Sequence, residues 1–280
     1  MQIGLLGLGL MGRPMARVLL AKGWNLRAWN RSVLSPCLVE GIPLAGSLEE
    51  VAAADVLLLM LADSEAVDEV LKRLEPGLRP GQLVLDMGSS DPEHSRRHYQ
   101  RLKTKNIGWV DAPVSGGPEG ASNATLAIMV GGDPSDFERV KPILEALGRP
   151  TYMGEAGAGH TAKVINQLMV GLYIEAVAEA IALAQSQGLD PRTLQAALRG
   201  GFADSKVLQI HGTRMIERKF VPGAKVRTQL KDLRLARKLV EKAGLKLPHL
   251  ESTLSLYAEL EAAGDGDLDH SALFKRLDPA

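Results

Sequence analysis

The first 155 residues alternate short β-type runs with helix-type segments, and this alternation constrains the fold more than any other feature. Strands that alternate with helices form a parallel sheet with helices on both faces. Crossovers of this kind are almost always right-handed and build an open, twisted sheet. Helices are predicted near 12–22, 64–73, 92–104 and 135–147, and the strand candidates are QIGLL, NLRAW, DVLLLML, QLVLDM, IGWVDA and TLAIMV.

The pattern changes after residue 157, where a long helical segment begins, AKVINQLMVGLYIEAVAEAIALAQSQ. It contains no proline and keeps helical apolar spacing throughout. The remaining chain is also helix-type, with breaks at GLDP, FVPG, GLKLP and GDGD. We therefore predict a sheet domain at 1–158 and an all-helical domain at 159–280, joined by the long helix. The helical part has too little core-forming sequence to cover this helix on all sides, which favours a homodimer or homotetramer.

Composition excludes several classes of protein. The 33 basic and 33 acidic residues cancel, so no overall field attracts nucleic acid or an anionic membrane. Cys37 is the single cysteine, which fits a reducing compartment and cannot form an intramolecular disulfide. No signal-peptide pattern is seen at the N-terminus, and the longest apolar run, VLLLMLA, is too short to cross a bilayer. We expect a soluble, cytoplasmic protein.

A glycine turn joins the first strand candidate to the first helix. Gly7, Gly9 and Gly12 have the spacing G-x-G-x-x-G. In this pattern Gly7 permits a tight turn, Gly9 lets a pyrophosphate approach the backbone, and Gly12 lets the helix pack on the strand. The N-terminus of the helix then offers N–H groups and a partial positive charge to phosphate. Because a second strand follows, the context favours an α/β, Rossmann-type doubly wound domain that binds a dinucleotide over a purely structural turn.

Residues 30–32 follow the second strand, where an NAD-binding fold carries an acid for the ribose 2′-hydroxyl. This chain has Asn30, Arg31 and Ser32 there. Asn30 removes a carboxylate that would repel a 2′-phosphate, Arg31 can hold that phosphate through two hydrogen bonds, and Ser32 adds a hydroxyl. The stretch favours NADP, with NAD possible. The alternative is a solvated turn, in which all three residue types are common.

A second glycine-bearing turn, DAPVSGGPEGA at 111–121, follows another strand candidate. Ser115, Gly116 and Gly117 could cradle a carboxylate with backbone N–H groups and one hydroxyl. The same pattern equally suits a strand-exit turn broken by Pro118. Both interpretations stay open on the residues alone.

A lysine lies near the beginning of the long helix, in GAGHTAKVINQ at 157–167. Helical spacing places Lys163, Asn166 and Gln167 on adjacent parts of one face. A cation opposes the helix macrodipole at this end, a mildly unfavourable position unless the lysine has a function. If a reduced nicotinamide and a carbonyl substrate lie nearby, Lys163 can donate the proton that the resulting alkoxide needs. His160 is either a second acid or only a polar residue at the helix start.

No metal site is predicted. His94 and His98 have the i, i+4 spacing of a helical metal pair, but the arginines and lysines around them would repel a cation. Lys231 and Asp232 lie in KDLRLARKLVEKA, which by itself is an ordinary charged amphipathic helix. The sequence assigns no role to Asp232.

Together these stretches resemble the β-hydroxyacid dehydrogenase family, which includes 3-hydroxyisobutyrate dehydrogenases and tartronate semialdehyde (2-hydroxy-3-oxopropionate) reductases. The C-terminal segments ALRGGFADSKVL, KFVPGAKV and DLDHSAL are most similar to tartronate semialdehyde reductases. In contrast, NRS at 30–32 and Gly88 are more similar to the glyoxylate and succinic semialdehyde reductases. The motifs that match occur in the family's order and are GLGLMGRPMA, DMGSSDP, DAPVSGG, GAGHTAKVINQ and KDL.

The resemblance implies a role for each matching residue. It implies that Lys163 is catalytic and that substrate is bound by Ser115, Gly116, Gly117 and Gln167. It implies that the cofactor is bound by Gly7, Leu8, Gly9, Leu10, Met11, Gly12, Leu61, Ala62, Ser89 and Lys231, beside Asn30, Arg31 and Ser32.

The expected reaction is hydride transfer between NAD(P)H and a small carboxylate-bearing semialdehyde or 3-hydroxy acid, with tartronate semialdehyde to glycerate first among the candidates. The alternatives are 3-hydroxyisobutyrate and glyoxylate or succinic semialdehyde, because one methylene in a pocket changes binding by only about 1–3 kcal/mol. An alternative of a different class is a non-catalytic NADP-binding scaffold, against which Lys163 argues. An imine reductase on this fold would carry another residue in its place.

Overall fold

The computed structural model describes residues 1–278. The chain divides into two compact units, the first at Met1–Lys163 and the second beginning at Val164. The predicted boundary at 158 and 159 lies a few residues before this division. Both positions fall at the beginning of the long helix, which starts in the first unit and continues into the second.

One sheet of eight strands forms the centre of the first unit among the described residues. The strand order β2-β1-β3-β4-β5-β7-β6, with β8 beside β7, is that of a doubly wound α/β fold, as predicted. The strands are β1 (Gln2–Leu6), β2 (Asn25–Trp29), β3 (Val56–Leu59), β4 (Leu83–Asp86), β5 (Gly108–Asp111), β6 (Val114–Ser115), β7 (Leu126–Gly132) and β8 (Gly148–Gly154).

The sheet is mixed, whereas the alternation of strands and helices predicts a parallel one. Strands β1 to β5 pair in parallel, but β7 runs antiparallel to β5 and to β6. Sequence reasoning missed β6 because it has only two residues. It missed β8 because this mostly exposed strand contains Pro150 and begins and ends with glycine, which are turn signals.

The helices of the first unit lie where the apolar periodicity predicts them. Asp63 and Asp91 accept hydrogen bonds from the backbone N–H groups of Ala66 and Glu93 and so cap two of them. The short helices α2, α3 and α6 were not predicted. The bounds are α1 (Gly12–Ala21), α2 (Pro36–Val39), α3 (Leu48–Ala52), α4 (Ser64–Leu74), α5 (Pro92–Lys103), α6 (Gly117–Ser122) and α7 (Pro134–Leu147).

The central strands are buried on both faces of the sheet. All four residues of β3 and all four of β4 are buried, as expected for parallel strands that helices cover on both sides. Successive side chains pack on opposite faces, so Leu58 belongs to one apolar cluster and Leu57 to the other. The carboxyl ends of β1, β3, β4 and β5 meet at one edge of the sheet, where ligands bind in open α/β folds.

The second unit is helical, as predicted, and the four predicted breaks are present, but a further break at 199–205 was not predicted. Its core includes Tyr257 and Phe274, which are fully buried among the leucines of the surrounding helices. Asp190 of GLDP, for example, caps the helix that Pro191 begins. The long helix is α8 (Ala158–Ser186), and the others are α9 (Pro191–Leu198), α10 (Thr213–Ile216), α11 (Val226–Lys242) and α12 (Pro248–Leu260), with a 3₁₀ helix at His270–Arg276.

One side of α8 is apolar and exposed. Ile165, Met169, Tyr173 and Leu183 are each about half exposed or more, whereas Val164 and other residues of the opposite side lie in the core. By length and composition alone α8 could also cross a membrane, a property that the search for uninterrupted apolar runs missed. In its most apolar stretch 39% of the residues are buried inside the structure.

Asp269 fastens the end of the helical unit to its middle. Its fully buried carboxylate accepts hydrogen bonds from the backbone N–H groups of Gly223 (2.8 Å) and Ser271 (3.1 Å), and Arg214 Nη1 lies 2.5 Å from Oδ2. Burial alone would raise the pKa of Asp269. The neighbouring His211 ring, the backbone N–H groups and Ser271 outweigh burial and hold this pKa well below its usual range.

Candidate active site

The glycine turn between β1 and α1 has the geometry that its spacing predicts. Gly7 has a φ of +101°, and a Cβ there would lie 2.3 Å from the Met60 carbonyl oxygen, so only glycine fits without strain. A Cβ on Gly12 would lie 1.9 Å from the Gly7 carbonyl oxygen, so the helix packs directly on the turn. Both glycines therefore bring α1 close to the carboxyl end of β1.

The space in front of Gly9 suits a pyrophosphate. A Cβ on Gly9 would meet no atom of the described chain within 4 Å, so the glycine leaves room rather than allowing close packing. No side chain among the described residues caps the N-terminus of α1, and its first turn carries no acid. Leu10 is 42% exposed beside this space. The turn thus offers backbone N–H groups and the helix dipole to an anion, which fits the diphosphate of a dinucleotide.

Asn30 connects the end of β2 to the glycine turn. Its Oδ1 accepts a hydrogen bond from the Leu8 N–H (2.9 Å), and its Nδ2 donates one to the Ser32 carbonyl oxygen (2.8 Å). The side chain therefore holds two consecutive parts of the predicted cofactor site together. Sequence reasoning considered only the missing charge of Asn30 and did not anticipate this structural role.

Arg31 is exposed at the edge of the same region. Its side chain is 73% exposed, and Nη1 lies 3.3 Å from Glu69 Oε2, an ion pair of the weak, solvated kind. Asn30 and Ser32 line an adjacent cavity of about 220 Å³ together with apolar side chains that include the fully exposed Val33. A cavity with mainly apolar walls at this end of the sheet suits the adenosine part of a dinucleotide.

The carboxyl ends of β3 and β4 bring Leu61, Ala62 and Ser89 to the same edge of the sheet. Leu61 Cδ2 would lie 3.1 Å from a Cβ on Gly7, so this residue packs against the glycine turn. Ser89 stands between two residues that Asp86 holds in place. Asp86 accepts hydrogen bonds from the Gly88 N–H and from Ser90 Oγ, each at 3.0 Å.

Ser115, Gly116 and Gly117 lie where β6 ends and α6 begins. Gly116 has a φ of +135° and Gly117 a φ of +64°, conformations that favour glycine. A Cβ on Gly117 would meet no described atom within 4 Å. The turn is therefore both a strand exit and an open loop, and Ser115 is partly exposed beside it.

Asp111 joins the carboxyl end of β5 to the beginning of α8. Its carboxylate is fully buried, with Oδ1 accepting a hydrogen bond from the Gly157 N–H (2.7 Å) and Oδ2 accepting one from the His160 N–H (2.8 Å). A Cβ on Gly159 would lie 2.5 Å from the Asp111 carbonyl oxygen, so the helix can approach the strand only with glycine there. Lys163, partly exposed, follows within the next turn of the helix.

His160 is fully buried between two carboxylates. Its Nε2 lies 3.6 Å from Asp86 Oδ2 and its Nδ1 lies 3.9 Å from Asp111 Oδ2. The two aspartates are register partners on the neighbouring strands β4 and β5. The sequence left two roles open for His160, a second acid or only a polar residue at the helix start. Its burial argues against the second role, because a polar residue at an ordinary helix start would be exposed.

In the second unit Gln167 is buried in an amide network. Its Oε1 accepts a hydrogen bond from Asn166 Nδ2 (2.9 Å), and its Nε2 donates one to Gln229 Oε1 (3.1 Å). Gln229 Nε2 in turn donates to the Gln167 carbonyl oxygen (2.8 Å). These contacts fix the orientation of the Gln167 side chain within its own unit.

Lys231 and Asp232 are adjacent on α11. Lys231 Nζ lies 3.3 Å from Asp232 Oδ1, and Lys231 is 27% exposed whereas Asp232 is almost completely buried. The carboxylate thus holds the ammonium of the lysine that the family resemblance assigns to the cofactor. The sequence did not indicate this contact between the buried Asp232 and Lys231.

The pair His94 and His98 contacts an acid from another helix. His94 Nδ1 lies 3.1 Å from Asp68 Oδ2, and His98 Nε2 lies 2.8 Å from Asp68 Oδ1. Arg101 Nη2, which can only donate, lies 3.3 Å from His98 Nδ1, so Nδ1 is the acceptor, whereas Nε2 approaches Asp68 without making a hydrogen bond. Burial lowers the pKa of His98, and Asp68 offsets this only in part. His94 is thus hydrogen-bonded to Asp68, and His98 accepts from Arg101 while lying against the same carboxylate.

Two family models cover the chain end to end. One, described as the NAD binding domain of 6-phosphogluconate dehydrogenase, matches residues 2–157. The other, described as NAD-binding of NADP-dependent 3-hydroxyisobutyrate dehydrogenase, matches residues 157–277. The chain is also 40% identical to the 2-hydroxy-3-oxopropionate reductase of Escherichia coli (strain K12), covering 99% of this chain and 97% of that one.

The chain belongs to the 3-hydroxyisobutyrate dehydrogenase family. It is an NAD(P)-dependent β-hydroxyacid dehydrogenase, and the predicted family, fold and enzyme class are confirmed. Among solved structures of similar fold is 3-hydroxyisobutyrate dehydrogenase from Mycobacterium tuberculosis with L-serine, which has a TM-score of 0.86, 32% identity, and coverage of 99% of this chain and 98% of that one. Another is Psf3 in complex with NADP+ and 2-OPP, with a TM-score of 0.92, 26% identity, and coverage of 99% and 100%.

The sequence pattern alone assigned no role to Asp86 and Asp111, the two aspartates at the strand ends of this dehydrogenase. Asp86 and Asp111 open the family motifs DMGSSDP and DAPVSGG, but neither was chosen as a site residue. A signal was present, since each acid directly ends a strand in which the preceding residues are buried. A charged residue that continues a buried run is costly unless it has partners, which marks it as structural or functional.

Proposed function

We propose that this dehydrogenase is an NADP-preferring reductase of small carboxylate-bearing semialdehydes, and that its principal reaction converts tartronate semialdehyde to glycerate. The substrate is supported by the C-terminal motifs and by the 40% identity to 2-hydroxy-3-oxopropionate reductase. 3-Hydroxyisobutyrate and glyoxylate or succinic semialdehyde are the alternative substrates. The observation that carries the catalytic proposal is the position of Lys163 just inside a helix whose N-terminus is held by the buried Asp111.

The cofactor, when bound, supplies the hydride that reduces the substrate carbonyl. Residues 7–12 would hold its pyrophosphate, with Leu61, Ala62 and Ser89 along its length and Lys231 near the reacting end. Arg31 is the residue that would recognise the 2′-phosphate, because an exposed guanidinium can exchange the Glu69 carboxylate for a phosphate at little cost.

Lys163 would hydrogen-bond the substrate carbonyl oxygen and give its proton to the alkoxide. An ammonium is suited to this step because it polarises the carbonyl first and then neutralises the charge that develops on oxygen. Ser115, Gly116, Gly117 and Gln167 would hold the substrate carboxylate. Their backbone N–H, hydroxyl and amide groups can orient the anion by hydrogen bonds. None of these groups competes with the Lys163 ammonium as a proton donor.

The catalytic role of Lys163 is tested by Lys163→Ala. A general acid contributes about 10²–10⁴ to rate, so turnover should fall by that factor, while the dissociation constant of NADPH measured by fluorescence titration stays nearly constant. Lys105→Ala is the matched control, because Lys105 is a half-exposed lysine of the first unit that pairs with Glu75. Unchanged turnover in Lys163→Ala would contradict the proposed mechanism.

Substrate and cofactor are tested with a panel of small semialdehydes and hydroxyacids, assayed with NADPH and NADH in parallel. Tartronate semialdehyde should give the highest kcat/KM. Arg31→Ala should raise KM for NADPH about tenfold, which is roughly 1.4 kcal/mol, and change KM for NADH little. Equal losses with both cofactors would mean that residues 30–32 act only as a turn.

A second copy of the chain is the proposed partner of the exposed side of α8. Exposed apolar residues that are scattered singly need no explanation, but four large ones on one side of a helix form a patch. Burying this patch against a second copy supplies the apolar core of a dimer interface. The proposed assembly is a homodimer or homotetramer in the cytoplasm. Light scattering should give the mass of a dimer or tetramer, and replacing Met169 and Leu183 with lysine should reduce that mass; a monomeric parent would contradict the proposal.

A further inference from the structure

A polar cluster lies at the carboxyl ends of β4 and β5. Asp86, Asp111 and His160 have no exposed surface at all. Burying even one carboxylate is expensive unless hydrogen bonds or opposite charge compensate it, and two carboxylates on adjacent strands also repel each other. Buried polar groups of this kind either tie segments of the fold together or serve a functional site.

Each carboxylate organises a different segment that carries a proposed site residue. Asp86 binds the backbone of Gly88 and the hydroxyl of Ser90 and thereby fixes the turn that presents Ser89. Asp111 binds the N–H groups at the beginning of α8 and thereby fixes the turn that precedes Lys163. A carboxylate at this end of a helix also interacts favourably with the macrodipole, which a lysine there opposes.

His160 is the group that stands between the two carboxylates. Its two ring nitrogens face different aspartates, at 3.6 Å and 3.9 Å, and within residues 1–278 neither nitrogen has a closer hydrogen-bond partner. An imidazole has a nitrogen on either side of its ring, so a single ring can lie against both acids and donate a hydrogen bond to either one.

We propose that His160 is a positioning residue that couples the turn carrying Ser89 to the helix start carrying Lys163, through Asp86 and Asp111. Its side chain holds the proton donor in register with the nicotinamide end of the cofactor site. The proposal rests on the proposed function, in which Lys163 donates the proton. A displacement of about 1 Å in such a group can reduce turnover about 100-fold without any loss of ligand binding.

The test compares two substitutions of the buried His160 side chain. His160→Leu keeps the volume but cannot bridge the acids, whereas His160→Gln places an amide donor near the former Nε2, toward Asp86. The backbone N–H to Asp111 remains in both. Each variant is assayed well below its own unfolding temperature. We expect His160→Leu to lower kcat about 100-fold with the dissociation constant of NADPH within about threefold, and His160→Gln to recover most of kcat.

His98→Leu is the matched control, because it removes another buried histidine of the first unit that lies outside the site. It should lower the unfolding temperature and leave kcat unchanged. If His160→Leu behaves like His98→Leu, the inference is wrong. Equal loss of kcat in His160→Leu and His160→Gln would overturn it too, because shape and not hydrogen bonding would then matter.

If His160→Leu does not fold, His160→Asn takes its place. The shorter amide reaches only toward Asp111, so it should retain less turnover than His160→Gln, and the reverse order would overturn the inference. Failure of the proposed function gives a different result. In that case Lys163→Ala keeps its turnover, whatever the histidine variants do.

Discussion

Asp111 in the first unit and Asp269 in the second are both fully buried aspartates that tie distant segments together, yet they differ in their partners. Each accepts backbone N–H groups from residues far along the chain. Asp269 in addition has the guanidinium of Arg214 at 2.5 Å. Asp111 has only the His160 ring, at 3.9 Å from its Oδ2.

We interpret Asp269 as an aspartate that only stabilises the fold and Asp111 as one that also serves the proposed active site. Asp269 faces a permanent cation, the Arg214 guanidinium, in addition to its backbone donors. Asp86 and Asp111 face backbone and hydroxyl donors and the His160 ring. Asp111 in addition fixes the helix start that precedes the proposed proton donor, Lys163. The comparison predicts that damage to Asp269 affects stability and that damage to Asp111 affects turnover.

The largest expected effect is the loss of stability in Asp269→Asn. The neutral amide leaves Arg214 without its counter-charge, and breaking such a buried pair costs about 3–5 kcal/mol. All three tryptophans, Trp24, Trp29 and Trp109, lie in the first unit, so in urea unfolding tryptophan emission reports on that unit and far-UV circular dichroism reports on both.

Asp267→Asn provides the control for this variant. Asp267 is an exposed aspartate two residues away that pairs with Lys225 and Arg227, and its loss should cost less than about 1 kcal/mol. Equal costs at both positions would contradict the stabilising role of Asp269. A shift of the same size in tryptophan emission and in circular dichroism would show that the two units unfold as one.

Asp111→Asn should have a smaller effect on stability and a larger one on turnover. An amide oxygen can accept from Gly157 or from His160, but the amide nitrogen cannot accept from the other, so one buried N–H is left without an acceptor at a cost of about 1–3 kcal/mol. The change should appear in tryptophan emission, and kcat should fall about 100-fold. Turnover of Asp111→Asn at the level of the parent enzyme would contradict the predicted difference between Asp111 and Asp269.

The pH dependence of stability should differ between the parent and Asp269→Asn. The folded-state pKa of Asp269 is held well below its usual range, so its contribution is fully present above about pH 4 and is lost as the pH falls below that value. The free energy of unfolding of the helical unit should therefore drop in acid in the parent. Asp269→Asn should show a flatter profile between about pH 5 and pH 3, and parallel profiles would assign the acid sensitivity to other groups.

The smallest effect is expected for Glu69→Gln at the exposed pair with Arg31. Because both partners are solvated, the free energy of unfolding should change by less than about 1 kcal/mol. Releasing Arg31 from the carboxylate should leave NADPH binding equal or slightly tighter in a titration. Weaker binding of NADPH would show that Glu69 orients Arg31 for the phosphate.

The sequence predicts those parts of this dehydrogenase that depend on local patterns. The glycine turn, the four main helices of the first unit and the four predicted helix breaks of the second follow from spacing, caps and prolines. In contrast, β8 was missed because Pro150 is an unfavourable strand residue that an edge position tolerates. The bridging of Asp86 and Asp111 by His160 was missed because topology, and not sequence proximity, brings a helix start beside two strand ends.

The hydrogen bond from the Leu8 N–H to Asn30 has a consequence for how cofactor choice can evolve. An aspartate at position 30 would present an oxygen at the same place, so the glycine turn would keep its anchor and lose only the donor to the Ser32 carbonyl oxygen. It would also restore the acid that NAD-binding folds use for the ribose. Asparagine and aspartate codons differ by one base. A descendant of this chain could thus exchange its electron carrier through a point mutation while the scaffold around the cofactor stays in place.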